Sequence, residues 1–178
     1  MYKTSYNGLC YIAREEAIVL VPYLDGKYYA QGVGHNDPLL TAESPAKTLE
    51  EVWAEFRQGL IPREKTVNNW LKVTAHQNEF DCFVSSYLNA GSKVKGVVDL
   101  FNKGDKLEAM ALLVSFNRIS KTGQFSPGLA RRRVREMQIF LKADYGDLST
   151  VKLWTTDPNV HPLDFTNIPF PPKEVTDV

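Results

Sequence analysis

The stretch of residues 17–24, AIVLVPYL, most constrains what this chain can fold into. Its branched side chains favour an extended strand. Pro22 excludes the interior of a helix there, because proline has no backbone N–H and its ring clashes with the preceding turn. Asp25-Gly26 then predicts a tight hairpin turn, and residues 27–35, KYYAQGVGH, predict the returning strand. The sequence therefore predicts a β-hairpin close to the N-terminus.

Helical patterns occupy most of the remaining chain. Apolar residues recur at helical spacing in residues 5–16, 48–58, 64–71, 78–88, 94–102, 105–116 and 128–143. Thr48 and Glu51 resemble a capping box, Pro62 predicts a break between two helices, and Pro127 predicts a helix start. The expected fold is α+β and mainly helical, with a small antiparallel sheet in the N-terminal lobe.

The last 31 residues differ in composition and periodicity from the rest of the chain. Residues 148–178 contain five of the ten prolines and show no helical or strand periodicity of any length. We expect residues 1–147 to form one domain of two lobes. Residues 148–178 are expected to form a Pro-rich C-terminal tail that is extended on this domain or partly disordered.

Composition argues against several classes of function. Twenty-one basic residues balance twenty-one acidic ones in 178 residues, so no global positive field favours nucleic acid. Cys10 and Cys82 have no CxxC spacing, which favours buried free thiols in a reducing compartment over a single disulfide or a zinc site. No stretch reaches the roughly 18–20 apolar residues of a membrane span, and the N-terminus is a poor signal peptide.

Two carboxylates bracket the first strand. Glu16 ends the predicted first helix, and Asp25 ends the strand nine residues later. A strand of this length can return past the helix end, so the two groups can face one another across a groove. Such a pair suits glycoside hydrolysis, in which one acid protonates the leaving oxygen and the other carboxylate acts on the opposite side of the sugar. An ordinary helix end and an ordinary turn explain the same residues, and His35 alone favours a structural hydrogen bond.

Several motifs in one order resemble the phage-type lysozymes, the endolysin muramidases of glycoside hydrolase family 24. The family pattern of Glu, eight residues, Asp and then T-[IV]-G-x-G-H is similar to Glu16-AIVLVPYL-Asp25 followed by AQGVGH at residues 30–35. Its F-N-x-G motif is similar to LNAG at residues 88–91. Its late G-L-x-x-R-R-x-x-E motif is matched at residues 128–136.

The resemblance implies a muramidase that hydrolyses the β-1,4 bond between N-acetylmuramic acid and N-acetylglucosamine in peptidoglycan, for bacterial host lysis by a phage. It implies that Glu16 is the general acid, and that Asp25 orients a water or stabilises or attacks the sugar. No cofactor or metal is implied. The remaining residues that it implies are Asn36, Leu88 and Asn89 for substrate binding, His35 as support for the hairpin, and Arg132 or Arg133 as a partner for Glu16.

One position departs from the family pattern. The third catalytic residue of the family is the threonine of T-[IV]-G-x-G-H, which holds the water, and Ala30 occupies that place here. The neighbouring Gln31 is polar, but it points to the opposite face of a regular strand unless a bulge rotates it. Three explanations are open: Gln31 replaces the threonine, another group does, or the protein cleaves poorly. Poor cleavage would favour an alternative function, in which the protein is a peptidoglycan-binding or virion-associated domain with weak or no catalysis.

The resemblance also implies partners and a location. The expected partners are peptidoglycan glycan strands, with no nucleic acid, no stable membrane insertion and a monomeric protein. A phage enzyme of this kind is expected to wait in the host cytoplasm and to reach the periplasm or cell wall once a holin opens the membrane.

Overall fold

The structure is a computed structural model that describes residues 1–36 and 38–172, without the side chains of His35 and Asn36. It confirms the mainly helical α+β prediction. The helices are α1 (Tyr6–Glu16), α2 (Leu49–Trp70), α3 (Gln77–Ala90), α4 (Val94–Asn102), α5 (Lys106–Val114) and α6 (Pro127–Lys142). The strands are β1 (Ile18–Asp25), β2 (Tyr28–Gly32), β3 (His35–Asn36), β4 (Thr150–Trp154) and β5 (Phe165–Pro169). Among the described residues no helix has both the length and the apolar composition needed to cross a bilayer.

The chain divides into two compact units. The helical unit consists of Met1–Gly8 and Leu60–Gly146, and the sheet unit consists of Leu9–Gly59 and the residues from Asp147 onward. The division falls inside helices α1 and α2.

Aromatic packing forms the core of the helical unit. The rings of Phe83, Phe101 and Phe140 contact one another with centroids 5.3 to 5.9 Å apart. These residues come from α3, α4 and α6, so burial of three large side chains fixes how these helices pack. Cys82 beside them and Cys10 in α1 are both buried and free, which confirms the expectation for the two thiols.

A five-stranded mixed sheet organises the sheet unit. Its strand order is β3-β2-β1-β4-β5. Strands β1 and β2 pair antiparallel as predicted, but the returning strand ends at Gly32, and the unpredicted β3 pairs antiparallel with β2. Strand β4 lies parallel to β1 and pairs antiparallel with β5. Ile18 and Val19 at the start of β1 are buried, as is Val151 in β4, so the central strands carry the apolar core of the sheet.

Residues 148–172, expected to be extended on the domain or partly disordered, contain two paired strands. Residues 150–154 and 165–169 form a hairpin whose first strand extends the sheet beside β1. Sequence periodicity missed it because the outer strand alternates poorly between buried and exposed positions. The inner strand β4 pairs with β1, and Ile18 lies 135 residues before its partner Leu153, so long-range pairing rather than local pattern decides the conformation of the hairpin. Pro169 fits there because an edge strand can lack one N–H donor.

The expected break at Pro62 was wrong, because α2 runs without interruption through it. Proline removes one hydrogen bond of the helix ladder and usually kinks it. Buried residues nevertheless recur on both sides of the proline, with Val52, Leu60 and Val67 each at most 1% exposed. Burial of this continuous face outweighs the lost bond. At the start of α2 the predicted capping box is present, since Thr48 and Glu51 exchange backbone-to-side-chain hydrogen bonds of 2.7 and 3.2 Å.

Candidate active site

A sharp reversal places Glu16 at the corner between α1 and β1. The helix ends at Glu16, and Ala17 takes a left-handed conformation with φ of 63°. The Ala17 N–H still donates to the Ala13 carbonyl at 2.8 Å, so the chain leaves the helix only at Ile18. A left-handed alanine costs roughly 1–2 kcal/mol. The surrounding structure holds this strain directly beside the candidate general acid.

A tight turn places Asp25 at the other end of β1. Asp25 pairs with Tyr28 across a two-residue connection, which confirms the predicted hairpin. Gly26 has φ of 65° at the first turn position, the requirement of a type II′ turn. Asp25 is exposed, whereas Glu16 is partly buried. The two carboxylates therefore occupy different environments within one unit.

Gly34 brings the backbone of the GVG turn against Glu16. Its φ is 56°, a conformation that favours glycine. A Cβ atom at this position would lie 3.0 Å from Glu16 Oε2 and 3.4 Å from the Glu16 Cβ. A side chain at position 34 would therefore displace the Glu16 carboxylate, whereas glycine does not.

The phenol of Tyr23 lies within the electrostatic influence of both carboxylates. Burial raises its pKa above the usual value of 10.0, and the neighbouring carboxylates of Asp25 and Glu16 raise it further. Asp157, from the connection between β4 and β5, adds a smaller effect in the same direction. Tyr23 therefore stays protonated and shares an electrostatic environment with both candidate catalytic groups.

The register of β1 and β2 decides which side chains accompany Asp25. Tyr23 pairs with Ala30, and Asp25 pairs with Tyr28. Residues two apart on a strand share a face, and directly paired residues lie on the same face. Tyr23, Asp25 and Ala30 therefore share one face of the hairpin, and Gln31 lies on the other.

The structure argues against Gln31 as the residue that holds a water for Asp25. Gln31 is only 1% exposed, and its Nε2 donates to the backbone carbonyls of Leu20 at 2.7 Å and Pro45 at 3.0 Å. Its Oε1 is also buried, without a hydrogen-bond partner among the described residues. Both ends of this amide are thus sealed from the face that carries Asp25.

A bulge in β1 explains why the Gln31 side chain donates to backbone carbonyls. The register shifts between Val19 and Tyr23, where four steps along β1 oppose two steps along β2. Pro22 lies in this interval and has no N–H to donate to a ladder. The Gln31 amide supplies a donor to the Leu20 carbonyl inside the bulge. The irregularity lies in β1 rather than at Gly32, so it does not rotate Gln31 toward Asp25.

In the helical unit, buried charges surround Glu136. Ser85 and Ser86 of α3 donate their hydroxyls to the two Glu136 oxygens at 2.8 and 3.0 Å. Arg132 Nε lies 3.2 Å from Oε1, and Arg133 Nε lies 2.8 Å from Oε2. Glu136 and Arg133 are both fully buried. This cluster fixes α3 against α6 because each buried charge has several partners.

Arg133 also holds a predicted substrate-binding residue. Its Nη2 donates to Asn89 Oδ1 at 3.1 Å, which orients the exposed amide at the end of α3. Asn89 lines a groove of about 410 Å³ together with Lys93, Phe116 and Arg118. Leu88 lines a separate concavity of about 400 Å³. Pairing of Arg132 or Arg133 with Glu16 stays a prediction.

The structure thus groups the predicted site residues within each unit. In the sheet unit, Glu16 and Asp25 both raise the pKa of Tyr23, and the side chains of His35 and Asn36 lie outside the described residues. Sequence analysis missed Tyr23 and Gly34 as members of this site. Period-two spacing from Asp25 could have indicated Tyr23. Nothing in the sequence indicated Asp157, because its segment was expected to be extended or partly disordered.

Comparison with known proteins gives one family and several solved structures. The family model described as phage lysozyme matches residues 13–136. The muramidase domain of SpmX from Asticaccaulis excentricus is 28% identical with a TM-score of 0.71, over 80% of this chain and 99% of that domain. The endolysin of Escherichia coli O157:H7 phage FAHEc1 is 25% identical with a TM-score of 0.69, over 82% and 98%. A variant of P22 lysozyme is 27% identical with a TM-score of 0.67, over 80% and 100%. No curated protein sequence gives a significant match.

Proposed function

The chain belongs to the phage lysozyme family, and from this premise we propose that it cleaves the β-1,4 bond between N-acetylmuramic acid and N-acetylglucosamine in peptidoglycan. It is a glycoside hydrolase of the peptidoglycan-degrading class. The observation that supports the proposed site is the placement of Glu16 directly before β1 and of Asp25 at its end, with Tyr23 on the Asp25 face and its pKa raised by both carboxylates. Two carboxylates placed at opposite ends of one strand supply the acid and the second carboxylate that glycoside hydrolysis requires.

We assign the general-acid role to Glu16. Its carboxyl proton passes to the glycosidic oxygen as the bond to the anomeric carbon breaks, so the leaving sugar departs as an alcohol. Asp25 then acts on the other side of the sugar ring, either as a base that activates a water or as a nucleophile. The absence of a Cβ at Gly34 leaves the Glu16 carboxylate the space it occupies, since an added Cβ would lie 3.0 Å from Oε2.

We assign to the Tyr23 hydroxyl the role of the missing threonine, which is to hold a water for Asp25. The methyl of Ala30 cannot hydrogen-bond a water, and Gln31 faces away from Asp25. Tyr23 pairs with Ala30 across the ladder and lies on the same face as Asp25. Because its pKa is raised, its O–H stays available to donate to a water or a sugar oxygen. Of the three explanations for the missing threonine, this proposal selects replacement by another group.

The test of the proposed reaction uses purified sacculi and the full chain. We expect the unmodified protein to release soluble muropeptides with a free reducing N-acetylmuramic acid end, which mass spectrometry identifies after borohydride reduction. Glu16→Gln keeps the size of the side chain but has no acidic proton, so release should fall by about 10²–10⁴-fold. Asp25→Asn tests the second carboxylate in the same assay. Equal release by wild type and Glu16→Gln would refute the role of Glu16.

A second candidate function is peptidoglycan binding with weak or no catalysis. The observation that favours it is Ala30, fully buried where the family pattern has a threonine. Co-sedimentation separates the two candidates, because a binding domain pellets with sacculi without releasing fragments. Binding without release by the unmodified protein would support this candidate and overturn the hydrolase proposal.

We also propose a biological setting, bacterial host lysis by a phage. The proposed partners are peptidoglycan glycan strands, and the proposed acting form is a monomer that leaves the host cytoplasm for the periplasm or wall. Expression in the cytoplasm of a Gram-negative host should then leave cells intact until a pore-forming holin is co-expressed. Lysis without the holin would contradict this setting.

A further inference from the structure

The segment after Asp147 contacts the helix that ends at Glu16. Arg14, two residues before Glu16 on α1, donates from Nη1 to the backbone carbonyl of Asp147. Because a backbone carbonyl accepts this bond, the contact holds the start of the segment and not a mobile side chain. The segment is therefore attached at one end to the element that carries the candidate general acid.

The same segment contacts both ends of β1. Strand β4 pairs in parallel with the beginning of β1, at Ile18 and Val19. In the connection between β4 and β5, Asn159 Nδ2 donates to the Leu24 carbonyl at 2.8 Å. Leu24 directly precedes Asp25. The β4 ladder covers only the first two residues of β1, so Asn159 supplies a donor to the strand edge near Asp25.

Local contacts hold Asn159 in place before it reaches Leu24. Its backbone N–H donates to Asp157 Oδ1 at 2.8 Å. The N–H groups of Val160 and His161 both donate to the Asp157 carbonyl, which closes the turn. A side chain on an ordered turn loses little conformational freedom when it makes its hydrogen bond.

The two strands that carry this turn are themselves firmly paired. Strands β4 and β5 are in register over five residue pairs. At the end near the turn, the rings of Trp154 and Phe165 contact each other with centroids 5.0 Å apart, and Lys152 Nζ lies 4.2 Å from the centre of Phe165. The hairpin is thus an ordered support and not an extended tail. It lies beyond residue 136, where the match to the family model ends.

We propose that this C-terminal hairpin is part of the hydrolase site, and that Asn159 is a positioning residue that fixes Asp25 through the Leu24 carbonyl. This inference rests on the proposed function. The Leu24 carbonyl belongs to the peptide unit that joins Leu24 to the Asp25 Cα, so a change in the orientation of that unit moves the carboxylate. Asn159 acts on the chemical step through Asp25 and does not bind the glycan.

The test compares Asn159→Ala with a matched control in the full-length protein. Asn167 of β5 is the control, because it is an exposed asparagine of the same hairpin and pairs with Lys152 in the β4–β5 ladder, away from β1. Each variant is assayed on soluble uncross-linked glycan strands, which give kcat and KM separately. Asn159→Ala should lower kcat by about three- to tenfold, the range that one lost hydrogen bond allows, with KM unchanged. Asn167→Ala should change neither constant.

Thermal unfolding and Glu16→Gln complete the design. A raised KM with normal kcat in Asn159→Ala would overturn the inference, because that result describes a glycan contact. A lower melting temperature with normal kcat would overturn it as well, because that result describes a purely structural bond. If wild type is no more active than Glu16→Gln, the proposed function itself fails. A different result is that wild type and Asn159→Ala are equally active while Glu16→Gln is inactive. That result overturns only the role of Asn159.

Discussion

Replacement of Gly34 by alanine tests whether the GVG turn holds the general acid. The change adds one methyl group at a position where φ is 56°, so it introduces backbone strain. The methyl carbon would lie 3.0 Å from Glu16 Oε2, whereas an ordinary contact begins near 3.4 Å. The atom that must retreat, by about 0.4 Å, belongs to the end of a flexible side chain.

The expected magnitudes separate stability from activity. A left-handed alanine costs roughly 1–2 kcal/mol, and the smaller entropy of the unfolded chain offsets about 0.4–1 kcal/mol of this. The net loss of about 1 kcal/mol lowers the melting temperature by about 2–4 °C in a chain of this size. At about a hundredfold in rate per ångström of misplacement, a 0.4 Å shift of Glu16 lowers kcat about sixfold.

Gly123→Ala is the matched control for this experiment. Gly123 has φ of 67°, and a Cβ atom there would meet no atom within 4 Å. Both variants should therefore lose similar stability in thermal unfolding followed by circular dichroism. Only Gly34→Ala should lose kcat in the release of muropeptides from sacculi. Equal activity of the two variants at equal folded fraction would refute the reasoning.

Three further outcomes follow from the described contacts. Gln31→Met removes the donor to the carbonyls of Leu20 and Pro45, so urea unfolding should show a free energy of unfolding lower by about 1–3 kcal/mol. The kcat per folded molecule should be retained. A selective loss of kcat would return Gln31 to the catalytic site. Tyr23→Phe removes the proposed water-holding hydroxyl, so kcat in muropeptide release should fall about tenfold or more. The melting temperature should change little. Full activity of this variant would contradict the assignment. Burial raises the pKa of Asp81 above its usual 3.8, so the native state binds this proton more tightly than the unfolded state. This contribution is complete below pH 3.8 and is lost as pH rises through the folded pKa, so urea unfolding of Asp81→Asn should lack that part of the pH slope.

Local chemistry made much of the candidate site predictable. Glu16 and Asp25 follow from a helix end, a proline-containing strand and a glycine turn, and each of these depends on residues adjacent in sequence. The α+β class follows for the same reason, since helical spacing and cap residues are local properties. The buried cluster around Glu136 was indicated only by a motif, because the sequence does not say which charges meet.

The remaining features depend on groups that are distant in sequence. The amide of Gln31 faces a bulge because Pro22 interrupts the ladder of the neighbouring strand, and only the pairing register reveals which face each side chain takes. Strand β4 forms because β1 offers it a parallel edge. The sequence thus established the two carboxylates and the elements that carry them. Tertiary pairing decided what surrounds those carboxylates, since backbone hydrogen bonds between strands join residues that no local pattern connects.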